Sequence, residues 1–216
     1  YYELAIKAGL SYEMVRALTL RGEIVYHLER TQDAMEIQDR LMKMALQNGD
    51  LHGYLSARNM LGMCMSRSKR YLEANIIFDI LLEQWQRLGS DSGYAGVFLN
   101  KCNALHFGGK TREALETATE YYERSRSVEV LKGVCVQLIG NMGRYATALK
   151  DYDTAETYLL DAVAQAKAMG HESALASAYE ALTKMYQASD RWMKAVEVWE
   201  EQMEFLWGRG EYDALL

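Results

Sequence analysis

The sequence predicts an all-α solenoid of about five antiparallel helix hairpins, and three observations carry that prediction. An alanine recurs as Ala34, Ala74, Ala114, Ala155 and Ala195, at steps of 40, 40, 41 and 40 residues. Gly9, Gly49, Gly89, Gly170 and Gly210 keep the same frame, and only the place near Glu129 lacks its glycine. Gly22, Gly62, Cys102, Gly143 and Thr183 each stand 12 residues before an alanine. All are small, as expected where two helices cross with their backbones close together.

After each alanine, apolar residues fall at +3, +4, +7, +8 and +11, the 3.6-residue period of a helix with one buried face. In the second repeat these are Ile77, Phe78, Leu81, Leu82 and Trp85, with Glu73, Asp79, Glu83 and Gln86 largely opposite. The fourth repeats the pattern through Tyr158, Leu159, Ala162, Val163 and Ala166, and the fifth through Val198, Trp199, Met203 and Leu206. The third is the loosest, with Thr117, Ala118, Tyr121, Tyr122 and Ser125, and its extra residue predicts an irregular joint between Ala114 and Gly143.

Upstream of each alanine runs a second periodic stretch, such as Val15, Leu18, Val25 and Leu28, or Leu175, Ala178, Tyr179, Leu182 and Tyr186. Each repeat is thus a helical hairpin. Short polar turns such as Glu29-Arg30-Thr31, Ser68-Lys69-Arg70, Gly108-Gly109-Lys110 and Ser189-Asp190 force antiparallel neighbours. Between hairpins the glycine ends a helix, and the next residue, Asp50 or Ser90 for instance, can cap the following one.

One helical-repeat domain over 1–216 is expected, with repeats at about 11–50, 51–90, 91–131, 132–171 and 172–210. Residues 1–10 match the end of a preceding repeat and 211–216 the start of a following helix, which reads as a fragment of a longer array or protein. Self-association through exposed apolar faces of the terminal helices is a corollary.

Composition narrows the functional classes. Proline is absent, which removes proline-rich and most linker readings, and half of the residues are hydrophobic, enough for a sizeable core. A net charge of −6 and a pI near 5.3 argue against nucleic acid as the partner. No run of 18 apolar residues occurs, so no membrane span is expected. Three cysteines, Cys64, Cys102 and Cys135, are too few for a disulfide scaffold and fit a reducing, cytoplasmic compartment.

A small residue, eleven intervening residues, an alanine, and an apolar or aromatic residue four further on resemble the tetratricopeptide repeat. The step of 40 exceeds the family's usual length, and a Gly-Asp or Gly-Ser joint stands where its proline is common, so the chain is similar to an extended subclass. Leu46-Gln47-Asn48-Gly49-Asp50, then Ala57 and Leu61-Gly62, resemble long repeats of scaffold proteins and of regulatory segments in bacterial signalling and transcription proteins. The resemblance implies a right-handed superhelix whose first helices line a concave groove for peptides or helices. Carried onto this sequence, it nominates Arg16, Glu23, Tyr26 and His27, then Asn59, Met63 and Arg67. Asn103, His106 and Phe107 follow, then Gln137 and Arg144, and finally Glu180, Lys184 and Gln187. These residues make a mildly basic, partly aromatic groove suited to a polar or acidic peptide or protein segment. The family's pattern for clamping a terminal carboxylate is not reproduced.

Chemical motifs are sparse. Gly108-Gly109-Lys110-Thr111 resembles the end of a phosphate loop, but Ala104 stands where that motif needs glycine and a helix precedes it where a strand is required, so it reads as a turn. His27, His52, His106 and His171 lack metal-ligand spacing, and no metal, cofactor or catalytic residue is expected. Glu197, Glu200, Glu201 and Glu204 form one exposed helical stripe rather than an acid–base pair. The predicted role is therefore a non-enzymatic protein-interaction scaffold. The alternative is a ligand- or peptide-sensing regulatory segment of a larger signalling or transcription-regulatory protein.

Overall fold

All five frame alanines are buried, exposing 4% of their surface or less. A computed structural model describes residues 11–207. These form α1 (Ser11–His27), α2 (Thr31–Gln47), α3 (Leu51–Arg67), α4 (Tyr71–Arg87) and α5 (Asp91–Phe107). After them come α6 (Thr111–Ser125), a 3₁₀ turn (Glu129–Leu131), α7 (Lys132–Ala148), α8 (Tyr152–Met169), α9 (Glu172–Ala188) and α10 (Trp192–Trp207). No strand occurs among the described residues. The stretches read as neighbouring repeats, 1–10 and 211–216, together with Gly9 and Gly210, lie outside the described residues.

Two compact units divide the chain, Tyr1–Gly108 and Gly109–Leu216. In the first, α1 to α5 pack each on the next, and α3 also touches α5. In the second, α6 to α10 do the same, and α7 touches α9. Contact between alternate first helices is the mark of stacked hairpins, so each unit hides apolar surface that a single hairpin would leave wet. Phe78, Leu81 and Trp85 fill the first core; Leu138, Tyr145, Leu159 and Tyr179 fill the second.

The small residues sit at the crossings. A Cβ added to Gly62 would lie 2.6 Å from the Phe78 ring, and one added to Gly143 would lie 2.4 Å from Leu159. In both repeats the residue four after the alanine rests on a bare backbone. The fifth repeat departs from its expected pattern. Thr183 fills its crossing position, no later helix is among the described residues, and Trp199, expected in the core, is 53% exposed.

The joints share one device. Gly49, Gly89 and Gly170 have φ near +65°, and the N–H of the next residue reaches back five positions, as Asp50 to Ala45 at 2.8 Å and His171 to Ala166 at 2.9 Å. Asp50, Ser90 and His171 then cap α3, α5 and α9 through their side chains. The glycine-free joint of the third repeat is irregular, as its extra residue requires: α6 stops at Ser125 and the 3₁₀ turn bridges to α7.

In the turns of the first, second, fourth and fifth repeats the same closure recurs without glycine. Glu29, Lys69, Lys150 and Asp190 take φ of 57° to 62°, a region that crowds a Cβ. Lys69→Gly and Lys150→Gly are therefore each expected to stabilise the fold by about 0.5–1 kcal/mol. Urea denaturation followed by circular dichroism measures this, and a loss of stability in both variants would refute it.

Candidate functional site

Side chains on the first helices of the 1–108 unit surround two open cavities. Positions near the C-terminal ends of α1, α3 and α5 bring together Tyr26, Met63, Arg67, Asn103 and Phe107 around a cavity of about 390 Å³. Ser66, Lys69, Tyr71, Phe78 and Asn100 complete its wall. The Arg67 guanidinium lies 4.1 Å from the centre of the Tyr26 ring and donates to the Tyr26 carbonyl at 2.6 Å. That contact fixes the cation at the rim. Phe107 is exposed and its ring is tilted against that of His106 with centres 5.0 Å apart, and burial pushes the His106 imidazole below its ordinary value.

Glu23 and Asn59 line the second cavity, about 450 Å³, which lies between the N-terminal halves of the same helices. Asn59 accepts a hydrogen bond from Asn100 at 3.2 Å. Small residues form much of this wall: Gly53, Ser56, Ala57, Ser92, Gly93 and Gly96. Gly93 is explained by packing, since a Cβ there would fall 2.5 Å from the Trp85 ring. Gly96 is not. A Cβ at Gly96 meets nothing within 4 Å, although glycine inside a helix is about 1 kcal/mol less favourable than alanine.

Gln38 lines the same cavity and is only 3% exposed. It occupies the position held by Phe78 and Leu159 in other repeats, and like them it rests on a bare backbone: a Cβ added to Gly22 would lie 2.5 Å from its Nε2. Repeat comparison marks it as a polar residue in an apolar column, a signal that the groove offsets did not use.

In the second unit, Glu180, Lys184 and Gln187 line a cavity of about 690 Å³ together with Trp199 and Gln202. Lys184 pairs with Glu180, and its hydrogen bond holds that carboxyl below the usual range. Arg144 is turned inward. It donates to Asn141 at 2.8 Å and to the carbonyl and hydroxyl of Ser177 at 2.8 and 2.5 Å, tying α7 to α9. Burial pushes its guanidinium below the ordinary arginine value. Arg16 and His27 are exposed on α1, and Gln137 on α7.

All three cysteines are buried, and burial pushes the Cys64 thiol up to about 11 and the Cys102 thiol to about 12, so neither ionises at neutral pH. Among the described residues no group of three or more His, Cys, Asp or Glu side chains is placed to hold a metal ion. None of their helices is long and apolar enough to cross a membrane. Gly109 of the glycine-rich segment has φ of 87° and forms the turn between α5 and α6.

No family model matches the chain, and no curated protein matches it by sequence. Solved structures do. BtubC (BKLC) from P. vanneervenii superposes with a TM-score of 0.70 at 15% identity, over 96% of this chain and 86% of that one. A putative kinesin light chain with nearly identical TPR-like repeats, from Podosopora anserina, gives 0.67 at 13% identity, over 91% and 96%. A Signal Transduction ATPase with Numerous Domains from Pyrococcus horikoshii, which has a tetratricopeptide repeat sensor, gives 0.61 at 16% identity. That match covers 99% of this chain and 37% of the other.

Proposed function

We propose, from the tetratricopeptide-like helical-repeat fold that this chain adopts, that it is a non-catalytic scaffold binding a peptide or protein segment across its first helices. The observation that carries the reading is the convergence of Tyr26, Met63, Arg67, Asn103 and Phe107, from three successive first helices, on one open cavity. Arg67 and Lys69 supply positive charge there and Phe107 an exposed aromatic edge, a combination that favours an acidic or polar segment with an apolar neighbour. Arg67, held on Tyr26, presents its remaining N–H groups at little further entropic cost.

Selection of a phage-displayed library of random 12-residue peptides on the full chain, followed by calorimetry with the enriched peptides, tests this. Arg67→Glu and Phe107→Ala are each expected to weaken binding about tenfold or more. Full affinity in both variants would overturn the assignment of this cavity. Arg144→Glu is a poor probe because it breaks the α7–α9 link.

A second reading is favoured by the likeness to a structure carrying a tetratricopeptide repeat sensor, of which this chain matches 37%. Here the repeats are the sensing segment of a larger regulatory protein, and binding shifts an attached output domain. Peptide-dependent output from the full-length protein would distinguish it from a passive scaffold.

A further inference from the structure

We propose that a second copy of this chain docks its α1 against α10 of the first, so that the packing of a first helix on the preceding second helix continues from one molecule to the next. The inference is independent of the peptide-binding reading and uses other surfaces than the Arg67 cavity. Matching apolar stripes and a matching pair of charges carry it.

On α1, Leu20 and Ile24, with Leu28 at the helix end, recur every fourth residue and are exposed. Ile24 is 59% exposed, whereas its counterparts ten residues before the other alanines, Cys64, Ala104, Tyr145 and Met185, are 1% exposed or less. Each of those four lies in a first helix that packs on a preceding second helix. On α10, Trp192, Val196 and Trp199 are exposed, while Phe78 and Leu159, at the offset of Trp199, are fully buried. Patches of this size mark an interaction surface. Each helix presents the face that its counterparts bury.

The exposed halves also match in direction. Tyr186, near the end of α9, donates to Glu156, near the start of α8, so the second half of a first helix lies on the first half of the helix before it. Leu20 to Leu28 occupy the second half of α1, and Trp192 to Trp199 the first half of α10.

The charges fix the register. Lys101 of α5 forms an ion pair with Asp79 of α4 at 2.5 Å. Lys101 stands 13 residues before Ala114, and Asp79 five after Ala74. Arg21 and Glu200 hold the same two offsets, from Ala34 and Ala195. Both are exposed, and no ion pair engages either among the described residues. Docking α1 on α10 in the register of α5 on α4 brings them together, which gives part of the acidic stripe of α10 a role. The contact is heterologous, since it joins two different patches.

Sedimentation equilibrium of the full chain tests this and is expected to show concentration-dependent association. Ile24→Glu and Trp199→Glu should each weaken it about tenfold or more, with helix content by circular dichroism unchanged because both sites are exposed. An equimolar mixture of the two variants should form heterodimers, because one keeps an intact α10 face and the other an intact α1 face. Arg21→Glu and Glu200→Arg should each weaken association, and both changes in one chain should restore it. A chain that stays monomeric, or association indifferent to Ile24→Glu and Trp199→Glu, would overturn the proposal. Loss in both variants with no heterodimer in their mixture would overturn the pairing of α1 with α10.

Discussion

Gly143→Val is expected to destabilise the 109–216 unit by about 3 kcal/mol, seen as a lower urea midpoint for its unfolding. The glycine lies in α7 directly under Leu159 of α8, and an added Cβ would come within 2.4 Å of Leu159 Cγ and 2.6 Å of its Cδ2. Leu159 is fully buried, so it cannot swing into solvent. Relief requires the two helices to separate, which opens packing that also involves Ala155 and Ala162, both fully buried. Alanine at the same site gains helix propensity but meets the same leucine, and it too should destabilise. Gly96→Ala should do the opposite. Two glycine-to-alanine changes of opposite sign separate the crossing from the cavity wall, and equal signs would refute the close-packing account.

The crossing was legible because close approach leaves a periodic trace: a small residue always 12 positions before an alanine. Helix ends were legible for the same reason, since a left-handed joint favours glycine and its successor caps the next helix. The joints inside hairpins were not. Glu29, Lys69, Lys150 and Asp190 adopt the same backbone without the residue that announces it. Among the groove candidates, offsets from the frame placed Tyr26, Met63, Arg67, Asn103 and Phe107 on one face, which the structure gathers at one cavity. Periodicity could not tell that Arg144 points inward, because its partner Ser177 lies 33 residues away and nothing in the spacing pairs them. Nor could it single out Gln38. A polar residue at a core offset reads as noise until its burial and its packing on Gly22 are seen. Trp199 failed for a neighbouring reason: the rule that buries the +4 residue needs a small partner, and Thr183 is larger than the glycines of the first, second and fourth repeats.

Glu156→Ala is expected to destabilise the same unit by about 2–3 kcal/mol, because one carboxylate joins three helices. Glu156 of α8 accepts from the Tyr186 hydroxyl of α9 at 2.7 Å, from Arg191 at the start of α10 at 2.6 Å and from Lys194 of α10 at 2.6 Å. Removing it strands the hydroxyl of Tyr186, a residue only 4% exposed. Glu156→Gln keeps an acceptor for that hydroxyl and should lose less than half as much. Hydrogen bonds from Lys194 and Tyr186 hold the Glu156 carboxyl below its ordinary value of 4.5, whereas burial, and then the hydrogen bond to Glu156, push the Tyr186 phenol up. A depressed carboxyl gives stability that is complete above the unfolded-state value and is lost as pH falls through the folded one. Urea midpoints of the unmodified chain should therefore fall more steeply below pH 4.5 than those of Glu156→Gln, and the two should converge in acid. Parallel pH profiles would show that the carboxylate's charge contributes nothing, and that the three helices are held by packing alone.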